Sequence, residues 1–177
     1  MLRQRVILAA VLLAVGLGGS SCGASQAVSA SPLEGAARLC DGGTADFGEL
    51  RGRPVVLILF ATSDSASELQ IPEAQEAFAS IGGLVYVMAL SMDPNDEPML
   101  QAYSEFNKAK FPMGMAPESI RNGKSALGKI DLVPAVIFLD KDGRVRAKRY
   151  GVTTAEIIEK TARKILGPID PPPVLNQ

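Results

Sequence analysis

The sequence predicts an α/β domain: a mixed parallel and antiparallel central sheet with helices on both faces. Three observations predict it. Short, almost wholly apolar runs at Pro54–Phe60, Leu84–Leu90 and Ala135–Asp140 have the composition of strands buried on both faces. Helical stretches separate them, and strands joined through helices run parallel. The turn Lys141-Asp142-Gly143-Arg144 then folds the last strand back antiparallel, because Asp-Gly tolerates the positive φ of tight hairpins.

The N-terminal segment is a targeting signal rather than part of the fold. Arg3 and Arg5 precede an apolar run, Val6–Leu17, and small residues Gly18–Ser21 lead to Cys22. This is the order of a secretory signal, assigned to residues 1–21. The run falls short of the roughly 20 residues a spanning helix needs. A Cys directly after the small residues resembles a lipobox, in which the thiol is diacylated and becomes the mature N-terminus. Gly19 departs from that pattern, where a Leu-like residue is usual, and ordinary cleavage nearby is the alternative. The expected location is the cell envelope, as a periplasm-facing lipoprotein held in the bilayer through Cys22. Gly23, in place of an Asp, tilts the choice toward the outer membrane.

Residues 22–37 are rich in Ala, Ser and Gly and read as a tether. The folded domain is expected over 38–167, and 168–177, with Pro171–Pro173, as a tail. Leu39–Asp41 starts a short strand before the turn Asp41-Gly42-Gly43. Ser65–Ile81 is a helix with Leu69, Ala74, Ala77, Phe78 and Ile81 on its apolar side and Pro72 as a kink. Pro98–Ala109 is a second helix, with Met99, Tyr103 and Phe106 inward. Val145–Tyr150 closes the hairpin. Thr153–Leu166 is the last helix, with Thr153 and Glu156 as a capping box and Gly167-Pro168 as its stop.

Composition excludes several function classes. Net charge is −1 over 177 residues, without a basic stripe, so nucleic acid is not the partner. The absence of His excludes Ser–His and Cys–His catalytic pairs. There are two Cys, Cys22 and Cys40. With Cys22 lipidated, the mature chain has one free thiol and no internal disulfide.

Three stretches carry a family resemblance. Phe47–Phe60 (FGELRGRPVVLILF), Phe60–Pro72 (FATSDSASELQIP) and Leu132–Gly143 (LVPAVIFLDKDG) resemble the thioredoxin-like superfamily, in its periplasmic TlpA-type (redoxin) branch. The resemblance covers about Leu39 to Leu166. It implies a thioredoxin-like fold and thiol–disulfide chemistry at a C-x-x-C pair on a helix start. This chain departs there: the two redox positions hold Asp64 and Ser67, and the preceding Trp is Ser63. The resemblance also makes Val133–Pro134 a cis peptide bond beside the helix start, where the family pairs an extended peptide.

Neither Asp64 nor Ser67 forms a mixed disulfide. Two readings follow. In one, Asp64–Ser67 is simply a well-capped helix start, with Ser65 and Glu68 as a capping box. In the other, a groove of Ser63, Asp64, Ser65, Ala66, Ser67, Val133 and Pro134 still binds a peptide or a periplasmic protein, without chemistry. No cofactor or metal is implied. One alternative is a thiol–disulfide oxidoreductase or peroxidase working through Cys40, against a plain core cysteine. Another is copper handling by the thioethers of Met113 and Met115, against ordinary packing. Asp140, Lys141 and Asp142 read as a solvated hairpin tip, and Asp93, Asp96 and Glu97 as charges near a helix start.

Overall fold

A computed structural model describes residues 31–94 and 97–166. Residues 1–21, Cys22, Gly167-Pro168 and the tail lie outside them. The element order is β1 (Ala36–Leu39), β2 (Thr44–Asp46), β3 (Val55–Phe60), α1 (Ser65–Ile81), β4 (Tyr86–Ser91), α2 (Glu97–Phe106), β5 (Met113–Met115), α3 (Glu118–Arg121), β6 (Ala135–Leu139), β7 (Val145–Tyr150) and α4 (Ala155–Leu166).

The seven strands form one mixed sheet in the order β2-β1-β5-β4-β3-β6-β7. β3 and β4 pair in parallel, as do β4 and β5, while β6 runs antiparallel to both β3 and β7. β3 is buried at all six positions, so period-two alternation sends apolar side chains to both faces. Val56, Ile58 and Phe60 meet Ile71 and Ala74 of α1, Leu100 of α2 and Ile158 of α4. Val55, Leu57 and Leu59 meet Leu33, Phe47, Ile120 of α3 and Leu127. Helices therefore cover both faces, with the three long ones on one of them.

The fold begins earlier than residue 38. Leu33 and Ala37 are fully buried, β1 starts at Ala36, and Pro32 bridges to Arg144. The segment reads as a tether because its Ala, Gly and Pro carry no strong strand signal; pairing with β2 and β5 supplies the structure. The turn after β1 is as expected: Gly43 N–H donates to the Asp41 carboxylate at 2.8 Å and Gly42 takes φ +83°.

Three expectations about helix faces are corrected. Leu69 is 64% exposed, because the stripe toward the sheet is Ser67, Gln70, Ile71, Ala74 and Ala77. Met99 and Phe106 lie seven residues apart on the solvent side of α2, at 55% and 86% exposure. Tyr103 points inward as expected, its ring stacked on Phe60, and Leu100 rather than Met99 or Phe106 is buried beside it. α1 runs through the exposed Pro72.

Both expected capping boxes are also replaced. Asp64, not Ser65, is the N-cap of α1. At α4 the first helical N–H, that of Ala155, donates to Glu73 of α1 at 2.7 Å, while the Thr153 hydroxyl donates to Gly151 O. The hairpin tip is less solvated than its sequence suggests. Asp140 is buried, accepts the N–H groups of Asp142 and Arg144 at 2.9 Å each, and pairs with Arg146.

Candidate functional site

Three segments converge at the end of the sheet where β3 stops and β6 starts. β3 ends at Phe60, and α1 begins five residues later. The register Leu59↔Ala135 brings the next residues outward, Phe60 and Pro134, alongside each other. The Val133–Pro134 bond is cis, and Pro134 O accepts from Gly151 N–H at 2.8 Å. The loop 151–154 thus joins the helix start and the proline loop.

At the helix start, Asp64 adopts extended backbone angles and its Oδ2 accepts two bonds from Ser67. One comes from the backbone N–H at 2.8 Å and one from the hydroxyl at 2.7 Å. The Ser67 Oγ in turn accepts the Ala61 N–H at 3.2 Å, and Ser67 is fully buried. The hydroxyl is therefore committed on both sides. The Ser67 hydroxyl and backbone N–H hold the Asp64 carboxyl below the usual carboxylate range. A carboxylate so stabilised is a poor base, and a buried hydroxyl cannot reach a substrate. The pair resembles a nucleophile and base in distance alone; its geometry is that of a cap.

The structure gathers the sequence-predicted residues. Ser63 and Ser65 are exposed, Asp64, Ala66 and Val133 are half-buried, and Pro134 is buried beneath them. Leu132 and Val152 flank the proline loop at 55% and 44% exposure. Among the described residues, neither the N–H nor the C=O of Val133 is hydrogen-bonded.

Sequence reasoning missed two supports of this site. Gln70, fully buried on α1, donates to Thr153 O at 3.0 Å and accepts from Thr153 N–H at 2.7 Å. The signal was there: a Gln stands in the stripe of α1 that faces the core. Asp93 Oδ2 accepts the Thr62 N–H at 2.6 Å, the Thr62 hydroxyl at 2.9 Å and the Ser91 hydroxyl at 3.1 Å, fixing the strand end that leads into α1. No local sequence pattern links residues 62 and 93.

Cys40 is not part of the site. It follows β1, which is four strand intervals from β6, about 19 Å across the sheet. Its half-buried thiol is raised above the ordinary value by burial, then by the neighbouring Asp41 carboxylate. Met113 and Met115 are buried with Cys40 against the α1–α2 face of the sheet. Among the described residues no group of His, Cys, Asp or Glu is arranged to hold a metal ion, and no helix is long and apolar enough to cross a membrane.

No family model matches this chain, and no curated protein does. Solved structures do. A DsbF homologue from Corynebacterium diphtheriae matches with a TM-score of 0.67 at 18% identity, covering 76% of this chain and 86% of that one. The thioredoxin domain of a thiol-disulfide oxidoreductase from Bacteroides vulgatus gives 0.67 at 14% identity, covering 81% and 100%. A thiol:disulfide interchange protein of the thioredoxin family from Chlorobium tepidum gives 0.61 at 21% identity, covering 78% and 99%. The architecture is the thioredoxin-like fold. Two of these three structures are described as a thiol-disulfide oxidoreductase and a thiol:disulfide interchange protein.

Proposed function

We propose that this chain is a thioredoxin-fold binding module without the redox pair, held at the periplasmic side of a membrane by lipid on Cys22, which takes an extended peptide or a partner protein at Val133–Pro134. One observation carries the reading. Among the described residues the backbone of Val133 is unpaired, beside a helix start where Asp64 accepts both the N–H and the hydroxyl of Ser67. An unpaired backbone next to a rigid, capped helix suits β-augmentation, which needs main-chain groups and no thiol. Leu132 and Val152 offer apolar contact to either side of such a peptide.

The Cys40 alternative has less support. Its thiol is distant from Pro134, and its raised pKa leaves little thiolate at neutral pH. The Met113–Met115 copper alternative has no supporting feature beyond two buried thioethers.

The deciding experiment pairs two measurements on the full chain. Reduction of a protein disulfide in the presence of dithiothreitol should not exceed buffer. Titration with a library of extended peptides should shift the amide resonance of Val133 and those of the α1 start. Turnover like that of an intact C-x-x-C protein, or an unshifted Val133 across the library, overturns the reading.

A further inference from the structure

We propose that a second site, in the cavity between β7 and the last turns of α4, binds a phosphate-bearing amphiphile. A cavity of about 710 Å³ opens there between Pro54, the hairpin turn, β7 and the last turns of α4. That volume lies within the range of small-ligand sites. The cavity runs from Pro54 and the hairpin turn, at the end of β3 far from Asp64, along β7 to Arg149, which is level with Val136 and Ile58.

Four cations reach this cavity from three elements: Lys141 from the turn, Arg146 and Arg149 from β7, and Lys164 from α4. Two acids also line it. Asp140 is spent on Arg146, whose Nε it accepts at 2.6 Å, and on the turn's own N–H groups. Asp142 is left as the one carboxylate against three cations. Among the described residues, none of Lys141, Arg149 and Lys164 has a carboxylate within 4.0 Å. A cation in the last turn of α4 is explained by the helix dipole, so Lys164 alone signals nothing. Arg149 has no such reason: it lies in the edge strand, two residues from Ala147 and on the same face, turned toward α4.

Cations arriving from separate directions, one of them a planar fork, suit a tetrahedral oxyanion. Ala147, Ile165 and Leu166 supply an apolar wall for a hydrocarbon part attached to it.

The place where the chain enters the fold points to a source. Leu33 N–H donates to Gly143 O at 2.8 Å and Pro32 bridges to Arg144, so the N-terminal segment enters at this same turn. With Cys22 lipidated, the nine residue steps from Cys22 to Ser31 span at most about 32 Å. Anionic phospholipid headgroups are then within reach of the cavity. This last step rests on the lipid-anchor reading; the cations do not.

The test reconstitutes the full chain in phosphatidylcholine vesicles. One sample contains phosphatidylglycerol as well, and another receives soluble glycerol 3-phosphate. Acetylation of each lysine is followed by mass spectrometry. Lys141 and Lys164 should be slowed about fivefold relative to exposed Lys160 when the site is mostly occupied, and Arg149→Glu should remove the effect. Slowing by phosphatidylglycerol alone assigns the lipid headgroup; slowing by glycerol 3-phosphate assigns a phosphate from solution. Equal acetylation in all samples, or protection that survives Arg149→Glu, overturns the site. Intact mass reports lipidation of Cys22 separately, so an unlipidated chain that still shows protection keeps the site and loses only the anchor.

Discussion

Gln70 and Thr153 form a two-way hydrogen-bonded pair across 83 residues of sequence, the side-chain amide of one matched to the N–H and C=O of the other. A buried backbone position outside any strand is thereby satisfied by a side chain. The pair fixes the loop between β7 and α4 against α1, and Glu73 one turn further on fixes the first N–H of α4. The same helix that presents Asp64 thus determines where Val152 stands.

Gln70→Leu leaves the N–H and C=O of Thr153 buried and unpaired. The expected cost is about 2–4 kcal/mol, since each orphaned group costs about 1–3 kcal/mol. Urea unfolding monitored by circular dichroism measures it. A loss below 0.5 kcal/mol, on the order of a surface substitution, would contradict the pairing.

Ser67→Ala removes the hydroxyl that donates to Asp64 and accepts from Ala61 N–H. The expected destabilisation is about 1–2 kcal/mol, with the Ala61 N–H left unpaired. Asp64 adds a pH dependence. Its folded pKa is lowered, chiefly by the Ser67 hydroxyl and then the Ser67 N–H, so its contribution is present above the unfolded value of about 3.9. That contribution fades as pH falls through the folded value. The stability difference between wild type and Asp64→Asn should therefore shrink as pH is lowered below 4; a difference that grows on acidification would refute the assignment.

The central sheet was legible because β3, β4 and β6 are apolar throughout, and nothing but burial on both faces accommodates such runs. The site's place followed from the family resemblance, which sets the Val133–Pro134 loop beside the helix start; the register Leu59↔Ala135 brings the two together. What was not legible is non-local. Leu33 and Ala37 lie in a composition that suits a linker, and only the partners β2 and β5 make it a strand. On α2, Met99 and Phe106 compete with Leu100 and Tyr103 for the inward face, and periodicity alone cannot choose between two apolar stripes. The caps misled for a related reason. Ser65 and Thr153 are good capping residues by type, but the groups that cap are Asp64, one residue earlier, and Glu73, on another helix.

Cys40 should react slowly. Burial raises its pKa first, and the carboxylates of Asp41 and Glu97 add to this. Alkylation by iodoacetamide at pH 7 should be slower than that of the same thiol in urea, and should rise about tenfold per pH unit until the thiolate forms. Faster reaction in the folded chain than in the unfolded one would revive the Cys40 enzyme. Under the proposed binding role, Cys40→Ser should leave the peptide-induced shift of Val133 unchanged.

Gly114 sits where β5 approaches β1, and a Cβ there would collide with the carbonyl oxygen of Arg38 and press on Leu39. The obstacle is backbone, which cannot rotate away. Gly114→Ala should cost about 1–3 kcal/mol, the range of forced overpacking, and loosen the β1–β5 pairing. Hydrogen exchange at the Cys40 amide, which donates to Met113 O at 2.9 Å, reports that pairing directly. Wild-type protection in the variant would mean that the strands tolerate a side chain there.

Tyr103 presents the opposite situation, a polar atom whose removal should cost nothing. Its ring stacks on Phe60 with centroids 5.4 Å apart, and among the described residues its buried hydroxyl has no hydrogen-bond partner. Burial first, then the carboxylates of Glu68 and Asp64, push its pKa up to about 12. Tyr103→Phe keeps the stacked ring and deletes the unpaired hydroxyl. Because an unsatisfied buried hydroxyl costs about 1–3 kcal/mol, the variant should be as stable as wild type or more so, by up to about 1 kcal/mol after relaxation. Thermal unfolding of the two chains side by side decides the matter. A Tyr103→Phe variant that melts lower by several degrees would mean that the hydroxyl has a partner in solution, and the α2–β3 contact would then be polar as well as aromatic.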